Sequence, residues 1–184
     1  MNDSFYSTGE LQGLGFGKVG RNVKISRTCS IYSAGEIQIG DNVRVDDFCI
    51  LSGVIELGSN VHVAAYVALH GRNRIRIEDF ASLSTRVTIY SAMDDLSGRH
   101  MTNPTVPEKH TCVTGGPVVI GRHALVGTGT VIFPNVILGE GCVIGALSLV
   151  TQHLEAWKIY AGIPCKYVKD RKRDLLKLAE KHVQ

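Results

Sequence analysis

An aliphatic residue recurs every six positions between residues 39 and 75: Ile39, Val45, Leu51, Leu57, Val63, Leu69 and Ile75. Neither the helix period of 3.6 nor the strand period of 2 produces that spacing. It fits a chain that repeats one short rung and a turn, each rung stacked on the one before. The ladder starts earlier, at Val19, Ile25, Ile31 and Ile37, and shifts by two residues into the main series. It shifts by two again into Ile77, Leu83 and Ile89, breaks, and resumes as Ile120, Val126, Ile132, Leu138, Ile144 and Val150. Small insertions at corners would produce such shifts.

The position two before each ladder residue is usually small or β-branched, as at Cys29, Gly35, Val43, Cys49, Val61, Val67, Ala81, Val87, Ala124, Thr130, Val136, Cys142 and Ser148. Residues i and i−2 of a strand share a face, so both members of each pair point inward and their neighbours point out. Cys29, Cys49 and Cys142 are thereby expected in the core as small hydrophobes. Gly40-Asp41-Asn42, Gly58-Ser59-Asn60 and Gly139-Glu140-Gly141 supply turn chemistry. Three rungs of six make an 18-residue triangular coil. Residues 19–90 give four coils and 118–153 two more, about six in all.

Residues 1–18 read as a lead-in with a short helix around Ser7 to Leu14, packed on the first coil. The 91–117 break is too polar and too Pro-rich to continue the core, and a loop of that length in a compact repeat is usually functional. After Val150 an extended segment turns at Gly162 and Pro164, and residues 169–184 read as a helix with Leu175, Leu178, Ala179 and Val183 on one face. The coil body is thus expected over 19–168.

The 184 residues carry a formal net charge of +3, which gives no reason to expect a nucleic-acid partner. No apolar run approaches a membrane span, and Met1-Asn2-Asp3-Ser4 lacks a basic region followed by an apolar one, so no signal peptide is expected. Five scattered cysteines with no CxxC pair favour free thiols in a reducing compartment, so a cytoplasmic protein is expected.

The Ile-Gly steps at Ile39-Gly40, Leu57-Gly58, Ile120-Gly121, Val126-Gly127, Leu138-Gly139 and Ile144-Gly145 resemble the hexapeptide-repeat family over most of the chain. That resemblance implies an all-β fold, a left-handed parallel β-helix with the long loop extruded from it and a C-terminal α-helix. Most members are acyltransferases that use acetyl-CoA, typically homotrimers with active sites between neighbouring prisms. Val87-Thr88-Ile89-Tyr90-Ser91, Asn103-Pro104, Gly116 to Gly121, Val143 to Thr151 and Ala161 to Lys166 are most similar to sugar O-acetyltransferases of the galactoside and maltose type and their O-antigen and capsule relatives. The resemblance implies transfer of acetyl to a hydroxyl, or an amine, of a sugar or sugar nucleotide, with no metal required. It places coenzyme A against Thr128, Gly145, Ala146 and Thr151, with Lys166 and Lys169 facing its phosphates and Arg171 and Lys172 adding to that patch.

Acyl transfer needs a base near neutral pH and a donor for the developing oxyanion. The family's histidine at the start of the long loop is Asp94 here. His62, outward beside Val61 and Val63, is therefore the expected base, meeting Asp94 or Asp95 of a loop directly or across a subunit boundary. A carboxylate on one imidazole nitrogen fixes the tautomer. His70 and Asn103 are expected at the acceptor, with Asp94-Asp95 alternatively capping a turn or binding the sugar. His100, His110, His123, His153 and His182 rank below them, and Cys112 and Cys165 have no partner marking a nucleophile. Two other readings stand beside this one: a carbonic-anhydrase-like metal enzyme, which would add a third histidine to His62 and His70, and a non-catalytic β-helix assembly subunit.

Overall fold

Each rung of the ladder is a strand, mostly of two or three residues, paired in parallel with the strand one coil later. A computed structural model describes residues 4–183, with side chains through Lys181. His182 and Val183 therefore lie outside the described side chains.

Three faces build the coil. The first holds Lys18–Val19, Ile37–Ile39, Val118–Ile120 and Ile137–Leu138, with the second halves of the long strands Ile50–Leu57 and Ala68–Ile77. The second face holds Lys24–Ile25, Arg44–Val45, His62–Val63, Ser82–Leu83, Leu125–Val126, Val143–Ile144 and Lys158–Ala161. The third holds Ser30–Tyr32, Thr88–Tyr90, Val131–Ile132 and Leu149–Val150, with the first halves of the two long strands. Six coils close, and a seventh begins where Leu154 bridges Leu138 and Ile159 pairs Val143.

The axis of the coil is filled by the ladder. Ile25, Val45, Val63, Leu83, Val126 and Ile144 stack on the second face, all buried, with Leu51, Leu69, Ile89, Ile132 and Val150 on the third. Each such aliphatic contributes roughly 1.5–3 kcal/mol by leaving water. The i−2 partners Val43, Cys49, Val61, Val67, Ala81, Val87, Ala124, Val136 and Cys142 are buried beside them. Thr130 and Ser148 are buried too, and both hydroxyls donate to the Gly145 carbonyl, at 3.2 and 2.7 Å. Two of the expected inward positions differ. Cys29 is only partly buried, its thiol donating to the Asp46 carbonyl at 3.1 Å, and Gly35 is exposed in a 3-10 turn, Ala34–Glu36.

The two-residue shifts of the ladder have one cause. Val19 pairs with Ile39 and Leu57 with Ile77, twenty residues apart, whereas Ile39 pairs with Leu57 at eighteen. Both extra pairs of residues fall at the corner between the third face and the first, and the 91–117 insertion leaves from that same corner. Other corners turn through left-handed residues. Asn22, Asn42, Asn60, Phe80, His123 and Trp157 have φ of 54–60° at the first corner, and Phe48, Tyr66, Arg86 and Leu147 have φ of 55–62° at the second. An L-residue there costs roughly 1–2 kcal/mol. Stacking between successive corners offsets part of that: Phe48 on Tyr66 and Phe80 on His123, each with ring centroids 5.0 Å apart.

At the N-terminus, α1 (Thr8–Gly13) begins at a capping box in which Ser7 and Glu10 bond reciprocally, and buries Leu11. The Tyr6 amide donates to the Ile25 carbonyl, so the lead-in closes over the first coil. The far end departs from expectation. Lys166–Asp170 is a strand, antiparallel to Lys158–Ala161, and α2 spans only Leu175–Val183. Leu178, expected on the packed face of that helix, is 67% exposed, while Leu176 is half-buried. Cys165, in the tail, is buried in the core cluster.

Candidate active site

The corner that carries the insertions is where the structure opens. Ser33 ahead of the Ala34–Glu36 turn, residues 70–72 and the long loop wall a cleft of about 860 Å³, lined among others by Ser52, His70, Arg72, Asp94 and Asn103. The loop is anchored by a short hairpin in which Ala92–Asp94 pairs antiparallel with Val113–Gly115, Asp94 opposite Val113. Ser91, fully buried, accepts a bond from the Asn73 amide at 2.8 Å and donates to the His70 carbonyl at 3.0 Å. That brace locks the start of the loop to the wall bearing His70. The His70 ring lies flat on Tyr90, centroids 5.0 Å apart at 8°, and burial pushes its pKa below the usual histidine value, favouring a neutral imidazole.

His70, Asp94 and Asn103, expected separately, thus line one cleft. Asn103 has a second task, since its Oδ1 accepts from the Thr105 amide and hydroxyl at 2.7 and 2.6 Å, turning the loop. His62 and Asp95 do not join them. Within the chain, His62 sits on the second face, and its carboxylate partner is Asp46, with Nε2 2.8 Å from Oδ2. Arg44 bonds the same carboxylate at 2.6 Å. Burial raises the Asp46 pKa, but the bonds from His62 and Arg44 win and hold it below the usual range. Asp95 caps a turn of the loop instead. It accepts from Ser97 and pairs with His100 Nδ1 at 2.7 Å, which brings its pKa down to about 2.

The residues expected at coenzyme A divide between two corners. Thr128, Gly145 and Ala146 stack at the second corner, where the Leu147 amide donates to the Thr128 carbonyl at 2.8 Å. A side chain on Gly127 would run into the Ala146 amide, so this column of backbone must stay bare. Lys166 faces Ala161, the next member of the column, and Lys169 faces Ile159, both lysines exposed on the strand. Thr151 lies beyond the third face, at the other corner. Arg171 does not belong to an open basic patch. Its Nη1 donates to the carbonyls of His123 and Gly141 at 2.8 and 3.0 Å, fastening the C-terminal segment to the first corner, while Lys172 remains exposed.

Ser84 was not among the expected site residues. It follows Leu83 at the second corner, one coil before Gly127, in the column that also contains Asp46 and Ala64. A serine beside a ladder residue gives no sequence signal of its own. The partnership of His62 with Asp46 was accessible, since residues about one coil apart are neighbours on the same face. The metal-enzyme reading needed a third histidine to join His62 and His70 across a subunit boundary; within one copy the two stand on different faces. Among the described residues no three His, Cys, Asp or Glu side chains are placed to share an ion.

No family model matches the chain. Over 172 residues it is 44% identical to the dTDP-4-amino-4,6-dideoxy-D-glucose acyltransferase of Escherichia coli, covering 92% of this chain and 90% of that protein. AntD, an N-acyltransferase from Bacillus cereus, bound to dTDP-4-amino-4,6-dideoxyglucose and coenzyme A, superposes with a TM-score of 0.97 at 45% identity, covering 100% of this chain and 98% of that one. Further AntD complexes hold dTDP with coenzyme A or with 3-hydroxybutyryl-CoA, and variants at its positions 84 and 94 are among them. A maltose O-acetyltransferase from Clostridium difficile, with 24% identity and a TM-score of 0.59, shares the fold. Coil and relatives together define a left-handed parallel β-helix acyltransferase. The chain belongs to the hexapeptide-repeat sugar acyltransferases, enzymes that take their acyl group from a coenzyme A thioester.

Proposed function

We propose that this enzyme is an N-acyltransferase that acylates the 4-amino group of a dTDP-linked 4-amino-4,6-dideoxy sugar, with acetyl-CoA as donor. The observation that carries the reading is Asp94, a half-buried carboxylate at the root of the loop, facing a cleft it shares with His70, whose pKa burial lowers. AntD complexes with this amino sugar carry variants at position 84, those with dTDP include variants at position 94, and this chain carries Ser84 and Asp94. In the reaction the amine lone pair attacks the thioester carbonyl carbon and the C–S bond breaks. The thiolate of coenzyme A leaves, and the amine proton passes to a base. Asp94 accepts a hydrogen bond from the amine and orients its lone pair. His70 and Asn103 contact the sugar. Thr128, Gly145 and Ala146 let the donor approach the backbone and Lys166 and Lys169 meet its phosphates, while Thr151, at the other corner, stands apart from this column.

The active form is a homotrimer. Ser84 is at the second corner, before the strand Thr88–Tyr90, and Asp94 is in the hairpin that leaves after it, so the third face lies between them. Two residues so placed reach one reacting centre only if they come from different copies. The second corner of the neighbouring copy then brings Ser84 and the His62–Asp46 pair, the candidate base, to the loop of this one. Sugar-nucleotide and acyl-CoA substrates place the enzyme in the cytoplasm, in the synthesis of O-antigen, capsule or another surface polysaccharide; no described helix is long and apolar enough to cross a membrane.

The test is thiol release from acetyl-CoA and 3-hydroxybutyryl-CoA with dTDP-4-amino-4,6-dideoxyglucose, and with the 4-hydroxy analogue. Turnover confined to the amine is expected. Turnover of the hydroxyl analogue alone would return the enzyme to O-acylation, and silence with both would overturn the reading.

A further inference from the structure

Three arginines alternate along the strand Ala68–Ile77, at positions 72, 74 and 76. Arg74 pairs with Glu56 at 3.2 Å and Arg76 lies 3.7 Å from Glu78. Arg72 is exposed, makes no ion pair among the described residues, and is the one of the three that lines the cleft. It follows Gly71, which stacks on Gly53, and a side chain on Gly53 would meet the Gly71 carbonyl. The floor beside Arg72 is therefore bare backbone, flanked by the hydroxyls of Ser33 and Ser52. The same cleft is also lined by the carboxylates of Asp94 and Glu108.

We infer that Arg72 is the diphosphate clamp of the acceptor site and sets its preference for a nucleotide-linked sugar over a free one. The inference rests on the amino-sugar nucleotide reading above. Such a substrate is positive at its amine and negative at its diphosphate, and the cleft offers a partner for each, the carboxylates of Asp94 and Glu108 and the uncommitted guanidinium of Arg72. The guanidinium fork matches phosphate oxygens in a way an ammonium does not. Ser33 and Ser52 are placed to donate to the remaining oxygens.

The experiment is calorimetric titration of dTDP, and separately thymidine, into wild type, Arg72→Gln, Arg72→Lys and Arg74→Gln, with KM values for both substrates. Removing a charge-assisted pair of bonds is expected to weaken dTDP at least about tenfold in Arg72→Gln. Arg72→Lys should recover part of the loss, and Arg74→Gln, whose arginine is committed to Glu56, should bind dTDP like wild type. The KM for the nucleotide sugar should rise in Arg72→Gln, while that for acetyl-CoA stays put. Wild-type dTDP affinity in Arg72→Gln would overturn the clamp and leave the function standing. Failure of the wild-type enzyme to bind dTDP at all would overturn both.

Discussion

Ser91 Oγ donates to the carbonyl oxygen of His70 at 3.0 Å, tying the first residue of the extruded loop to the wall it faces. Both residues sit at the end of the third face, one coil apart, and Ser91 is fully buried. The bond sets the distance between His70 and the strand that carries Asp94. Ser91→Ala removes both bonds of a buried hydroxyl, to the Asn73 amide and the His70 carbonyl, each worth about 0.5–1.5 kcal/mol. Loss of that much stability is expected in urea titration, together with a raised KM for the acceptor and an unchanged KM for acetyl-CoA.

A site shared between copies makes a prediction about mixtures. Ser84→Ala and Asp94→Ala should each be inactive as pure trimers. Dissociated and reassembled together in equal amounts, they should recover about one quarter of wild-type activity, the chance in a cyclic trimer that an intact Ser84 meets an intact Asp94 next door. If the two residues served one copy, mixing would restore nothing. Thiol release after reassembly, with light scattering to verify the trimer, reads the outcome.

Two histidines make the fold sensitive to acid. Burial lowers the pKa of His70, and burial with the adjacent Arg122 charge lowers that of His123, both from 6.5. Below about pH 6.5 the unfolded chain takes up protons that the folded chain resists, so stability falls as pH drops through that value and on toward the folded pKa values. Melting temperature should follow. His123 also buries Nε2 without a hydrogen-bond partner among the described residues. The preceding coil already places Phe80 at the same corner with φ 59°. His123→Phe should thus hold its stability at pH 8 and flatten the acid slope measured by melting from pH 8 to 5.

The thiols should separate by burial. Burial pushes Cys142 up to about 12 and raises Cys165, while Cys29 beside it, followed by burial, raises Cys49. A neutral aromatic disulfide reagent at pH 8 should label at most two of the five cysteines in the native enzyme, Cys112 and Cys29, and all five in guanidinium. Fast labelling of three or more would mean that the lower coils open readily.

The ladder was legible because each coil repeats one burial decision: Leu51, Leu69 and Ile89 stack, and their period survives in the sequence. The corner insertions were legible as slips of that period. What lies beyond the ladder was less so. Lys169 and Asp170 read as the start of a basic helix, yet they end the strand Lys166–Asp170, because its partner Lys158–Ala161 offers an edge that no local pattern announces. Asp94 stood out by replacing an expected histidine, and it reaches the cleft. Asp95 beside it turns back to Ser97 and His100, a choice fixed by the path of the loop. Ser84 gave no sign, being a small polar residue in a fold that places such residues at every corner.

All three departures from the regular coil share one edge. The hydrogen bonds of a coil run to its neighbours above and below, so lengthening this edge breaks no ladder, and each doubling of a loop's length costs only about 0.6 kcal/mol. Acceptor choice can therefore drift as a graft along one seam, while the column of bare backbone at Gly127 and Gly145 stays untouched. A chimera that exchanges only residues 32–36, 70–74 and 91–117 with a distant relative is the natural unit in which a new sugar would be acquired.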